Sequence, residues 1–163
     1  MRPTERFLCD EMLQRLGRWL RAAGYDVAIA RSGESDAVLM QQARYQGRLL
    51  LTRDKGLAEY RDADNYVVLL QGNTLQQLLQ ELSERLDIDW LYRPFTRCLE
   101  CNTPLVVAPP EVVPRVPPES IREGEQLLYC PLCDKPYWNG SHVKRMRRQL
   151  QRFARGQWEE GEA

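Results

Sequence analysis

The chain has 163 residues, with 43% apolar and 28% charged side chains and 23 cations balancing 23 anions. That length allows one domain, or one plus a small appendage, and the composition excludes a disordered chain. The longest apolar run, Tyr66 to Leu70, falls far short of the roughly 20 residues a membrane span needs, and Met1 to Arg6 holds no apolar core of a secretory signal, so a cytoplasmic protein with no membrane partner is expected.

Arg6–Cys9 is a short strand, followed by a helix over 12–23 whose Met12, Leu13, Leu16, Trp19, Leu20 and Ala23 recur at helical spacing until Gly24 stops it. A second strand over 26–30, a helix over 35–46, a third strand over 49–52, a short helix over 55–60 and a fourth strand over 66–70 come next. Thr74 and Gln77 form a capping box that opens a Leu-rich helix to Leu86. Strands without polar alternation, separated by helices, imply a parallel sheet covered on both faces, an α/β fold. Buried packing suits the lone Cys9 in the first strand and the apolar Trp19.

Composition shifts after residue 86. The expected organisation is an α/β domain over 1–90, a linker over 91–96, a cysteine-bearing unit over 97–140, a basic helix over 141–155 and a flexible tail over 156–163. Six of the ten prolines lie between 104 and 118, which argues against a helix there and for extended hairpin arms. Ser141 is a good N-cap for the last helix, whose Val143, Met146, Leu150 and Phe153 make an apolar stripe.

Cys98-x2-Cys101 and Cys130-x2-Cys133 are two knuckles of the kind that together surround one tetrahedral ion. In a reducing compartment metal outranks disulfides, and four protein thiolates leave no open position, so a structural Zn²⁺ is expected.

Ligands of parallel sheets bind beyond the carboxyl ends of the strands. Asp10 directly follows strand one, Glu34 and Asp36 lie between strand two and its helix, and Asp54 closely follows strand three. Two carboxylates about 4 Å apart repel by roughly 4 kcal/mol at an effective dielectric of 20, so convergence calls for a proton or a divalent cation. Oxygen ligands favour Mg²⁺ or Mn²⁺. The same aspartates also sit where helix caps belong, and capping and metal roles can coexist.

Phe7 to Arg21 with Gly24-Tyr-Asp26, then Ser35-Asp36, Gly47 to Asp54, the two knuckles, and Tyr137 to His142 with Arg145-Met146 follow one another in an order that resembles the Mut7-C RNase domain family, a PIN-like nuclease fold with a C-terminal zinc ribbon. The resemblance implies a PIN-like parallel sheet flanked by helices, and a metal-dependent ribonuclease with Asp10, Asp36 and Asp54 as Mg²⁺ or Mn²⁺ ligands and an activated water attacking the RNA phosphodiester. Thr52 resembles the PIN hydroxyl that supports the acids. No family role is carried to Glu11 or Glu34, and Asp62 and Asp64 are the candidates for a fourth acid.

RNA is the expected partner, with the ribosome or a tRNA or rRNA species as specific candidates. Arg15 and Arg18 share a face of the first helix and either flank the acids or meet solvent. Lys55 is a phosphate contact or a surface lysine. His142 is a hydrogen-bonded structural residue or an RNA contact. Lys144, Arg145 and Arg148, with Arg147, Arg152 and Arg155, form either a solvated helix face or a surface that tracks phosphates, and Tyr137 and Trp138 stack on bases or pack on the ribbon. The rivals to a ribonuclease are a non-catalytic RNA- or ribosome-binding zinc-ribbon adaptor, a toxin-like PIN ribonuclease held by an inhibitor, and a nuclease acting on DNA.

Overall fold

The computed structural model describes residues 5–161; the first four residues of the expected α/β domain and the last two of the expected tail lie outside it. Four short strands, β1 (Arg6–Cys9), β2 (Asp26–Ile29), β3 (Leu49–Thr52) and β4 (Val67–Leu69), form a parallel sheet in the order β2-β1-β3-β4. Alternate side chains leave opposite faces of a strand. Phe7, Cys9, Val27, Leu51 and Val68 therefore join one apolar cluster, and Leu8, Leu50 and Ala30 join another. Both faces are buried, which is why the strands read as unbroken apolar runs.

The first face is covered by α1 (Gln14–Ala23) and α5 (Leu75–Leu86), the second by α2 (Asp36–Gln46) with Leu57 of the single-turn α3 (Lys55–Ala58). A further single-turn helix, α4 (Ala63–Tyr66), leads into β4. Helix α1 stops at Gly24, whose φ of 105° and the Arg93 carbonyl, 2.4 Å from where a Cβ would stand, both exclude a larger residue. Residues 12 and 13, expected to begin that helix, instead belong to a 3₁₀ turn over Glu11–Leu13 that turns Met12 outward, 79% exposed.

The C-terminal part holds a small antiparallel sheet, β5 (Val106–Val107), β6 (Leu128–Cys130) and β7 (Lys135–Tyr137), and the helix α6 (Ser141–Ala154). The proline-rich stretch is not simply extended. Pro110–Arg115 and Pro118–Ser120 are 3₁₀ helices, each begun by a proline where the missing N–H would have had no partner, and Val112 and Val116 pack with Leu127 as a third core. The N-cap of α6 is Gly140, not Ser141.

Leu150 and Phe153 of α6 are buried in the first core, with the Phe153 ring edge-on to Trp19 at 5.1 Å and to Trp90 at 5.4 Å. The segment after α6 folds back: Trp158 stacks on Phe153, and the Gln149 side chain donates to the Glu159 carbonyl and accepts from the Gly161 N–H. These contacts differ from the loose tail expected from a polar terminus, because a single tryptophan finds apolar cover. No helix among the described residues is long and apolar enough to cross a membrane.

Candidate active site

The strand order reverses between β1 and β3, since β2 lies beside β1 on one side and β3 on the other. At such a reversal the connections leave in opposite directions and open a crevice beyond the carboxyl ends. A cleft of about 300 Å³ lies there, lined by the acids Asp10, Glu11, Glu34, Asp36 and Asp54, by the apolar Met12, Ala30, Leu39 and Leu57, and by Arg31 and Arg53.

Thr52 links the two central acids. Its hydroxyl, fully buried, donates to Asp10 Oδ2 at 2.6 Å and accepts from the Asp54 N–H at 3.0 Å. Asp10 Oδ1 accepts from the Met12 N–H at 2.9 Å and Asp54 Oδ1 from the Gly56 N–H at 2.8 Å, so both aspartates do cap helical turns. A carboxylate has about four lone-pair sites, and capping takes one. Helix α2 is capped by Ser35, which leaves Asp36 at the first helical position with no capping duty. A Cβ on Gly56 would stand 3.1 Å from Asp54 Oδ1, close enough to push on that carboxylate, and 3.8 Å from Asp36 Oδ2.

Glu34 completes the acidic wall: its Oε2 is buried with no hydrogen-bond partner. Burying an unpartnered carboxylate oxygen is costly unless a proton or a cation meets it; oxygen donors of this kind suit a hard divalent ion, although no three of the cleft carboxylates bring their oxygens within 4.8 Å of one another. Asp62, one candidate for a fourth acid, pairs instead with Arg44 at 3.3 Å, and neither it nor Asp64 lines the cleft. Sequence order did place Glu34 beside Asp36; the loop that turns it inward carries no spacing signal.

The cations read as possible substrate contacts lie outside the cleft lining. Arg15 pairs with Glu160, Arg18 with Glu100 at 3.9 Å, and neither lines the cleft. His142, Arg145 and Arg148 are exposed on α6 and Lys144 is half-buried there, all outside the cleft lining. Lys55 opens α3 and is exposed. The cleft has two arginines of its own, Arg31 and Arg53, which helical periodicity could not reveal because both sit in loops. Cys9 is inert: burial, then the neighbouring Asp10 charge, pushes its thiol up to about 12.

The second centre is the cysteine cluster. The Sγ atoms of Cys98, Cys101, Cys130 and Cys133 all lie within 4.8 Å of one another, the one such group of three or more ligating side chains among the described residues; the cleft carboxylates stand farther apart. Cys98 and Cys133 are 3.9 Å apart and Cys101 and Cys130 3.5 Å. Four thiolates about 2.3 Å from a tetrahedral zinc would be about 3.8 Å apart, so the spacing and donor set fit a structural Zn²⁺. Burial of Cys101 opposes ionisation, but hydrogen bonds from the Thr103 hydroxyl and amide and from neighbouring thiols outweigh it and lower its thiol to about 6. The Tyr137 hydroxyl is 3.0 Å from Cys98 Sγ, placed to donate to a thiolate.

The knuckle is fastened to the parallel sheet. Buried Arg21 donates from Nε to the Val27 carbonyl and from Nη1 to the carbonyls of Leu99 and Glu100. Asn102, in the left-handed conformation that asparagine tolerates, accepts from the Val27 N–H and donates to Asp26.

Against known proteins, the chain matches the Mut7-C RNAse domain over residues 5–150, nearly its whole length, and it belongs to that family. No curated protein and no solved structure matches it.

Proposed function

We propose that this Mut7-C RNase-domain protein is a metal-dependent ribonuclease that hydrolyses RNA phosphodiesters in the acidic cleft. Membership in a ribonuclease family implies RNA as the substrate; the observation that supports the mechanism is that Asp10, Glu34, Asp36 and Asp54 line one cleft at the β1–β3 crevice. Asp10, Asp36 and Asp54, joined by the unpartnered oxygen of Glu34, would hold Mg²⁺ or Mn²⁺. When bound, such an ion polarises the phosphate and activates a water for in-line attack. Thr52 fixes the rotamer of Asp10 and the backbone before Asp54. Gly56 pins Asp54 Oδ1, and Ser35 spares Asp36 from capping. The cations of α6, none of which forms an ion pair among the described residues, would hold the RNA backbone without reading its sequence.

Incubating the zinc-loaded full chain with single-stranded and structured RNA, with Mn²⁺ or Mg²⁺, tests this reading. Cleavage that needs the added ion and disappears in Asp54→Asn and Asp10→Asn is expected. Salt-sensitive binding without cleavage under either ion would instead identify a non-catalytic adaptor.

A further inference from the structure

The acidic cleft contains two arginines that neutralise none of its carboxylates. Arg53 lies between Thr52 and Asp54, and Arg31 lies in the loop that follows β2; both line the cleft. Among the described residues neither forms an ion pair. Arg53 instead donates from Nη2 to the neutral Asn73 Oδ1 at 2.6 Å. Asn73 follows β4, and its own N–H is held by Gln77 of the α5 capping box at 2.8 Å. A neutral acceptor on a braced backbone orients the guanidinium and leaves its charge unspent. With a cation among the carboxylates, the complementary ligand is an anion that can touch both the cation and two guanidinium forks. A phosphodiester is such an anion, and arginine matches its oxygens bidentately where lysine offers a point charge.

We infer that Arg31 and Arg53, with Asn73 as the positioning residue for Arg53, form the seat for an RNA backbone phosphate beside the cleft carboxylates. This rests on the ribonuclease reading of the cleft. It routes the strand between the loops that follow β2 and β3. The exposed face of α1 is not part of that route, since Arg15 and Arg18 are engaged with Glu160 and Glu100.

The test is the affinity of the zinc-loaded full chain for an end-labelled single-stranded RNA, read by fluorescence anisotropy across a salt series in an Asp54→Asn background that blocks cleavage. Arg31→Ala and Arg53→Ala are each expected to weaken binding about tenfold and to reduce the salt slope by about 0.7. Asn73→Asp places an anion on Arg53 and is expected to weaken binding as much as Arg53→Ala does, although it holds the side chain in place; a merely structural Asn73 would tolerate it. Arg15→Ala and Arg18→Ala are the comparison, with the salt slope unchanged. Affinity and slope unaltered in both Arg31→Ala and Arg53→Ala would overturn the seat even if the unmodified chain cleaves RNA. Weakened binding in a chain that never cleaves would uphold the seat and remove the hydrolytic reading.

Discussion

Thr52 is the residue on which the geometry of the acids turns. Replacing its hydroxyl by a methyl group in Thr52→Val keeps the shape but leaves a buried Asp10 oxygen and the Asp54 N–H without partners. A loss of about 1–3 kcal/mol is expected in chemical denaturation, together with weaker Mn²⁺ binding by isothermal titration. Glu34→Gln is expected to stabilise the metal-free chain slightly while lowering its Mn²⁺ affinity, because an orphaned carboxylate oxygen is destabilising until a cation meets it; equal affinities in the two proteins would contradict that role. That Asp10, Asp36 and Asp54 would line one cleft was legible in the sequence, because Asp10 and Asp54 stand just beyond β1 and β3 and Asp36 opens the helix that follows β2. Arg31, Arg53 and the inward turn of Glu34 were not, because loop residues obey no period and their direction is set by the turns that precede them. Met12 shows the same limit, since a 3₁₀ turn took it out of the helical stripe.

Strand β2 is an edge of the parallel sheet, and side chains supply what a neighbouring strand would have given. Asn102 pairs with the Val27 N–H, and Asp26 receives Arg48 at 2.8 Å and the Asn102 amide at 2.7 Å. Burial alone would raise the Asp26 carboxyl, but the hydrogen bonds from Asn102 and Arg48 and the charges of Arg48 and Arg97 hold it below its ordinary value. A carboxyl lowered on folding stabilises the fold fully above its unfolded pKa of about 4, and that share is lost as pH falls through the lower folded value. Asp26→Asn is therefore expected to cost about 1–3 kcal/mol at pH 7, with the gap to the unmodified protein closing below about pH 4 in urea titrations. The α/β class and the parallel sheet followed from apolar runs alternating with helical periods. The short helix expected over 55–60 ends at Ala58 as α3, and a second single turn, α4, follows only at Ala63, after Asp62 at a φ of 56°. The proline-rich stretch was misread for a related reason: proline forbids helix interiors and still favours first positions.

At the scale of the molecule, the cysteine cluster and the parallel sheet are one mechanical unit. Arg21 crosses from α1 to the knuckle carbonyls of Leu99 and Glu100, and it is only 5% exposed, so losing those acceptors would strand a buried charge. Zinc chelation is accordingly expected to expose the Val27 amide, on the far side of Asn102, to hydrogen exchange as well as unfolding the small sheet; protection at Val27 unchanged after chelation would show the two parts to be independent. The packing of α6 on α1 through Phe153, Trp19 and Trp90 was foreshadowed by the apolar stripe on that helix, though no local pattern says which partner such a stripe will find. The central claim is that Asp10, Asp36 and Asp54 bind a divalent ion in the cleft at the β1–β3 crevice. Its most direct test is a Mn²⁺ titration of the zinc-loaded chain followed by electron paramagnetic resonance, in the unmodified protein and in Asp10→Asn, Asp36→Asn and Asp54→Asn. A saturable site weakened about tenfold or more by each substitution is predicted, whereas an isotherm that none of the three alters would contradict the account.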